Sequence, residues 1–479
     1  MERRDWDKMS GEGVLLLDHY DEMAGMLADS FWRAGFSGPV IVLSEDACLP
    51  EGVHSLYRLA ADDSVSSTFP GAVREAGERD AAQVRDYRLA HAGWTPGTGR
   101  HFNQIELPDY WEITADGTSG KVFDRNHLRG RIFYARTEAS RIVSDVDWLD
   151  EAGTVRFTDH YDLQGQLYAR TTFNERGERF CCSWFDDRDC ERIVENYVTG
   201  DLIVSRNGVT RRYRNRTELA VATLRGLGLE DQRIFYNSLS YPLFVSERLA
   251  MHPAGNVLFW QEGPRNDIPG NMQMILRGGS HTRQVLVQNA QSCQMLLSLG
   301  ASGDYVRPFG FAYGFERDNA AGDDVLVCTN SDQIEALGQI VGALPNMRFH
   351  IAAVTEMSGK LMAFGSQPNV RLYPVASKAT FARLFQDCDW YLDINRGSEI
   401  VSSVKRAFLN NQLILGFSNT LHRPRYVSPE HVFDDADGMV ALLRGLHSSQ
   451  DELRKHLGLQ RAAAMTESPE AYRRLLGGR

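Results

Sequence analysis

The sequence holds no CxxC pair and no Cys/His spacing suited to zinc. Its seven cysteines (Cys48, Cys181, Cys182, Cys190, Cys293, Cys328, Cys388) are odd in number and scattered. A disulfide scaffold and a zinc module are therefore not expected; reduced, partly buried thiols of a cytosolic protein are. No stretch approaches eighteen apolar residues, and the early run from Val14 to Leu17 is too short for a signal h-region. Neither a membrane span nor the Sec route is expected. Lys and Arg form no block beyond a pair or so, net charge is -11, and no basic stripe interleaves with aromatics, which argues against nucleic acid as a partner.

What is present is ordinary globular composition, 43% hydrophobic and 24% charged over 479 residues, enough for two or three domains. GVLLLD reads as a buried strand. The following DEMAGMLADSFWRAGF places Met23, Met26, Leu27 and Phe31 at helical spacing and stops at Gly35, and GPVIVLS is a second strand. The βαβ opening lacks one thing: no glycine lies between Leu17 and Gly25. A phosphate-binding turn needs glycines to let backbone amides approach the anion, so no phosphate site is expected there.

From about residue 95 to 215 alternation replaces helical periodicity. Four consecutive twelves, DWLDEAGTVRFT, DHYDLQGQLYAR, TTFNERGERFCC and SWFDDRDCERIV, carry an apolar residue third (Leu149, Tyr161, Phe173, Phe185). Asp or Asn stands fourth (Asp150, Asp162, Asn174, Asp186), and Gly or Asp seventh (Gly153, Gly165, Gly177, Asp189). That spacing predicts type I turns with a side-chain acceptor first and a positive-φ residue closing a G1 bulge, hence an antiparallel meander. Beyond TELAVATLRGLGL, helices and apolar strands return. After the Pro/Gly stretch near 304–324 they alternate cleanly through DVLVCTN, DQIEALGQIVGAL, MRFHIAAV, SGKLMAFG, NVRLYPV, TFARLFQDC, WYLDIN, EIVSSVKRAFLNN and LILGFSN.

The expected fold is α/β, a GT-B-like pair of Rossmann-like lobes with a β-meander domain inserted in the N-terminal lobe. Its parts are 1–95 and 216–306 for the first lobe, 96–215 for the meander, 307–445 for the second lobe and 446–479 for terminal helices. A retaining enzyme of that architecture would carry a basic pair after the first strand of the second lobe, to neutralise a nucleotide pyrophosphate. Thr329, Asn330, Ser331 and Asp332 stand there instead. Arg406 falls where a ribose-binding glutamate belongs, and a guanidinium cannot accept from hydroxyls. Eight residues earlier lies Ser398, with Glu399 one position out of register. No catalytic residue, cofactor or metal is therefore expected. Asp145 and Asp147 (DVD) read as solvated strand-edge carboxylates rather than a metal motif, and His101, His127, His160, His281 and His350 have no partner that spacing reveals.

The blocks HFNQIELPDYWEI, SDVDWLDEAG, RIVENYVTGDLIV, FYNSLSYPLF, NVLFWQEGPRNDIPGNMQMIL and DWYLDINRGSEI resemble the chaperone, or stabilising, subunit of the O-GlcNAc transferase that modifies serine-rich repeat adhesins in the accessory Sec system of Gram-positive bacteria. The resemblance covers nearly the whole chain. It implies a cytoplasmic pseudo-glycosyltransferase without transferase activity, compatible with peripheral attachment at the inner face of the cell membrane. Its implied partners are a homologous catalytic subunit, in a homo- or hetero-oligomer, and the unfolded Ser/Thr-rich polypeptide held in the cleft.

Candidate groove residues lie after apolar strands. They are Asn237 and Ser238, then Trp260, Gln261, Glu262, Asn266 and Asn271, then Asn395, Arg396, Ser398 and Glu399, with polar loops that merely cap their own helices as the alternative. For Met272, Met274 and Met295, core packing is favoured over an adaptable binding surface. In the meander, Tyr161, Phe173 and Phe185 are the candidate partner-facing residues. A retaining transferase acting through Glu399, and a scaffold that only recruits partners, stay open as other readings.

Overall fold

The computed structural model describes residues 13–44, 49–62, 95, 97–135 and 141–477. Cys48 and the stretch 63–94, assigned above to the first lobe, lie outside the described residues. The chain divides into two compact units: the first takes in Phe36–Val287 and Gln291–Arg307 with the chain up to Ala28, the second Pro308–Arg479 with the short pieces Asp29–Gly35 and Gln288–Ala290.

Continuous apolar runs give the first unit its parallel sheet, since a strand covered on both faces has no polar side to alternate. Val14, Leu15, Leu16 and Leu17 are all fully buried. Across the sheet the strands run Val53–Ser55, Val40–Val42, Val14–Leu17, Ile234–Tyr236, Asn256–Trp260, Thr282–Val287 and Val306–Pro308. Pairing is parallel from Val53–Ser55 to Thr282–Val287. Numbered along the chain this is 3-2-1-4-5-6-7. The order reverses between Val14–Leu17 and Ile234–Tyr236, and such a switch point is where open α/β sheets bind ligands.

The meander is one ten-stranded sheet, from Trp111–Ala115 to Val209–Tyr213, in which each strand pairs with the next. Its twelve-residue repeat is built by one device used four times. At Asn174 the side-chain oxygen accepts from the amides of Arg176 and Glu178 at 2.9 and 3.0 Å, while the carbonyl accepts from Gly177. Asp150, Asp162 and Asp186 repeat the pattern. The closing residues Gly153, Gly165, Gly177 and Asp189 all have positive φ.

Residues opposite one another share a face, and chain neighbours point to opposite faces. Trp184 is in register with Ala169, which pairs with His160 and then Asp145; Val146 starts the other row, through Asp159 and Arg170 to Ser183. The sheet therefore owns two cores on opposite faces. On one, Ala169, Cys182, Trp184, Ile193, Leu202 and Val204 pack on Tyr57, Ala60 and Leu219 of the lobe helices Leu56–Ala61 and Arg216–Gly226. On the other, Val122, Ile132, Val143, Val146 and Tyr161 are covered by Ile105 with Phe102 and Leu107. The Trp184 and Tyr57 rings stack 4.2 Å apart. Arg216 grips Glu195 with two hydrogen bonds, 2.9 and 3.0 Å.

The second unit repeats the doubly wound order without an insertion: Val370–Tyr373, Arg348–Ala353, Asp324–Thr329, Trp390–Asp393, Leu413–Phe417 and Val432–Phe433, all parallel. Ser377, Asp435, Ser449 and Ser468 each cap a helix by accepting a backbone hydrogen bond. Two parallel-sheet units and one inserted meander are the parts expected of the GT-B-like fold class.

Two predicted helices are shorter than their apolar spacing suggests. DQIEALGQIVGAL becomes helical only at Leu337–Ala343, because Gln333–Glu335 is drawn into antiparallel pairing beside Ile394–Arg396. EIVSSVKRAFLNN is helical only over Ser403–Leu409, because Glu399 folds back onto the amide of Val404.

Gly177→Ala meets nothing within 4 Å but forces alanine to φ 76°, and should cost about 1 kcal/mol in urea unfolding. Trp184→Ala, which empties the contact with Tyr57, should cost ~3–5 kcal/mol by the same measurement.

Candidate functional site

The groups singled out from sequence stand at the C-terminal ends of the strands in each unit. In the first unit the switch point is filled by its own side chains. Asn237 accepts from the Asp18 amide at 2.9 Å and donates to Gln261 Oε1 at 3.1 Å, and Gln261 donates in turn to the Met23 carbonyl. Ser238 Oγ donates to Asp18 Oδ2 at 3.0 Å. Asn271 donates to the Leu239 carbonyl. Asp21 accepts from the Ala24 amide at 2.8 Å, so the first turn of helix Glu22–Arg33 already holds a carboxylate. A helix start that is so capped, with Asp18 and Glu22 beside it in the chain, repels a phosphate rather than attracting one.

In the second unit the switch point lies between Asp324–Thr329 and Trp390–Asp393, and backbone bridges it. The Glu335 amide donates to the Ile394 carbonyl at 2.8 Å and the Arg396 amide to the Gln333 carbonyl at 2.9 Å. Beneath, Thr329 Oγ1 donates to Asn395 Oδ1 at 2.9 Å, and Asn395 Nδ2 donates to Asn330 Oδ1 and the Ser398 carbonyl. Arg396 pairs with Glu335. Glu399 accepts from the Val404 amide at 3.0 Å and from Arg423 Nε at 2.6 Å. Val401 and Ser402, just before that helix, sit in the left-handed region at φ 48° and 50°. This is strain that a regular helix start would have avoided. Arg406 lies over the Phe385 ring, 4.3 Å from its centroid.

One residue missed from sequence organises this loop. His422 bonds through Nδ1 to Asp393 Oδ1 at 2.6 Å and through Nε2 to the Gly397 carbonyl at 2.7 Å. The hydrogen bond to Asp393 raises its pKa to about 9 against the opposing effect of burial, with the Gly397 carbonyl adding to the rise. Both ring nitrogens donate in the cationic form, so the charge is consumed internally. The pair is 29 residues apart in the chain, beyond any local spacing rule.

Several expectations are corrected by burial. Trp260 is 1% exposed in the first unit's core and cannot stack on a ligand, because its strand is covered on both faces. Tyr161 is 6% exposed under the 102–107 segment, with the Arg100 guanidinium 5.0 Å from its ring centroid, and offers no face to a partner. Phe173 and Phe185 are half-buried. Met272 is core as expected, Met295 is half-buried, and Met274 is 36% exposed on the outer side of its helix.

Asp145 and Asp147 lie on Val143–Leu149, an interior strand rather than an edge, and each has a partner: His160 at 2.6 Å and the Thr158 hydroxyl at 2.6 Å. Burial opposes ionisation of Asp145, but hydrogen bonds with His160 and Ser144 outweigh it and hold the carboxyl below the usual range. His350 likewise lies between Asp324 and Tyr373. Among the described residues no group of three or more His, Cys, Asp or Glu is placed to hold a metal, none of the six described cysteines is in a disulfide, and no helix is long and apolar enough to cross a membrane.

Known families match along the chain: the GtfB N-terminal domain at residues 14–59, the GtfB middle domain at 111–214, the GtfB third domain at 216–299 and the GftB/GlyA-F C-terminal domain at 325–460. The chain is 34% identical to the UDP-N-acetylglucosamine–peptide N-acetylglucosaminyltransferase stabilizing protein GtfB of Streptococcus gordonii, over 97% of this chain and 99% of that one. The chain belongs to the GtfB family. The protein of the same name from Limosilactobacillus reuteri is 33% identical over 96% of this chain and 98% of its own. A chain in the crystal structure of a GtfA/B complex bound to UDP and GlcNAc superposes with TM-score 0.82 at 33% identity, covering 97% of this chain and 99% of that one. A chain of the accessory secretory protein 1, 2 and 3 structure from Streptococcus pneumoniae shares the fold, at TM-score 0.56 and 11% identity over 97% and 99% of the two chains.

For this GtfB-family chain the raised His422 pKa has a definite sign. Its stabilising contribution is complete below the unfolded value near 6.5 and is lost as pH rises through about 9. The melting temperature of the wild type should fall between pH 7 and 10 by a component that His422→Gln abolishes, and imidazole NMR should give a midpoint near 9.

Proposed function

We propose that this chain is a non-catalytic pseudo-glycosyltransferase of the cytoplasm. In this reading it stabilises a homologous catalytic O-GlcNAc transferase and holds the unfolded Ser/Thr-rich polypeptide that the partner modifies before accessory Sec export. The names of the relatives, stabilising proteins of a peptide N-acetylglucosaminyltransferase, support the first half. The observation that carries the non-catalytic reading is the closure of both switch points by the chain's own hydrogen bonds. A nucleotide sugar would need open amides and a basic residue there; the chain supplies carboxylates, amides and a paired backbone.

Glu399, the carboxylate through which the alternative, an active transferase, would act, is engaged by Arg423 and by a helix amide. What those strand ends leave outward is neutral or zwitterionic and suits an uncharged, hydroxyl-rich polypeptide. Among the proposed acceptor-binding residues, Glu262 faces solvent in the first unit, above Asn237, Ser238, Gln261 and Asn271, and Arg396 faces solvent in the second, above Asn395 and Glu399. Phe173 and Phe185 remain the proposed partner-facing residues of the meander.

Calorimetry with UDP and UDP-GlcNAc should show no binding tighter than about 1 mM, while an unglycosylated serine-rich peptide binds. Arg396→Ala should weaken that peptide several-fold, roughly 3–10-fold, and Phe173→Asp should reduce copurification with the catalytic partner without lowering the melting temperature. Micromolar UDP binding with sugar transfer by this chain alone, lost in Glu399→Gln, would overturn the proposal.

A further inference from the structure

The meander holds a cavity of about 320 Å³ that the acceptor reading does not use. Four aromatic side chains, Trp111, Trp148, Phe157 and Tyr161, line it. Two guanidiniums and three carboxylates share the lining: Arg100 and Arg170, with Glu106, Asp159 and Asp189. Its volume lies at the low end of small-molecule sites, ~300–1,000 Å³.

The polar groups are fixed before any guest arrives. Arg170 bonds to Asp159 through Nε at 2.5 Å and Nη2 at 3.0 Å while lying over Phe157, and Trp148 Nε1 donates to the same carboxylate at 2.9 Å. Arg100 is held over Tyr161 and donates to the Gly165 carbonyl at 2.9 Å. The Arg170 side chain is 40% exposed, and its third nitrogen, Nη1, makes none of these bonds.

Charge excludes most guests. Arg170 is already paired with Asp159 and Arg100 with the Gly165 carbonyl, so a phosphate or carboxylate would have to displace bonds already made, and a Lys or Arg side chain would bring its charge beside those two guanidiniums. A wholly apolar guest would strip water from donors and acceptors without replacing their bonds. What fits is an uncharged ring with an apolar face to lay on an aromatic wall and hydroxyls around its edge for Arg170 and Glu106. We propose that this cavity is a binding site for a neutral pyranose, separate from the strand ends of either unit and independent of whether those hold the acceptor.

The experiment is ligand-observed NMR and calorimetry on the full chain, with N-acetylglucosamine, glucose and galactose as probes and arginine and inorganic phosphate as charged controls. At least one sugar should saturate the chain with a dissociation constant of about 1 mM. Trp111→Ala should weaken it about tenfold, and Glu106→Ala, at an exposed position, should weaken it several-fold with the melting temperature unchanged. If no sugar saturates, if both variants bind as the wild type does, or if arginine or phosphate takes the site instead, the assignment fails.

Discussion

The ends of parallel strands, and the helix starts that follow them, present backbone N–H groups that must find acceptors. In a nucleotide-binding lobe the missing acceptor is a phosphate; here the chain provides its own. Asp21 meets the amide of Ala24 in the first unit and Glu399 that of Val404 in the second. The consequences spread outward. Glu399 needs a counter-charge, which Arg423 gives; Arg423 follows His422 in the chain, and His422 needs Asp393. The loop held by these pairs then aligns Ile394–Arg396 for pairing with Gln333–Glu335. A strand end closed on the chain's own acceptors has fewer donors to offer an anion.

The meander obeys a different constraint. A single sheet can bury only what something covers, and this one is covered on opposite faces at its two halves, by lobe helices at one and by a short irregular segment at the other. This arrangement explains why neither face reads as uniformly apolar and why aromatic residues of one repeat position have different fates. Tyr161 is in a core, whereas Phe173 and Phe185, at the same place in the repeat, are half-buried.

Local chemistry was legible and long-range pairing was not. The four turns follow from Asp or Asn and a left-handed residue three positions on, a code contained within five residues. The two doubly wound units follow from runs such as VLLL, whose burial demands no partner of a particular identity. The strand-end residues were also placed in the right region, because apolar strands end where polar residues begin. Trp260 was misread because Gln261 and Glu262 follow it directly, although it is the last residue of Asn256–Trp260, a strand buried on both faces along its whole length. The shortened helices were missed for other reasons: DQIEAL and EIVSS have good helical spacing, but Ile334 is drawn into pairing with the distant Asn395, and Glu399 turns back onto the nearby Val404 amide while the distant Arg423 holds its carboxylate. Asp393 with His422, Trp184 with Tyr57 and Glu195 with Arg216 belong to the same class, since nothing in the intervening sequence announces them.

Tyr57, on the last described lobe helix before the meander, and Arg216, at its point of return, clasp the meander. The inserted sheet is thus clamped at its root, like a blade set in a handle rather than a flag on a string. Arg216 opens the helix that leads to Ile234–Tyr236, whose end carries Asn237 and Ser238. The residue that seats the meander and the strand that ends at the first switch point are thus linked through a single helix.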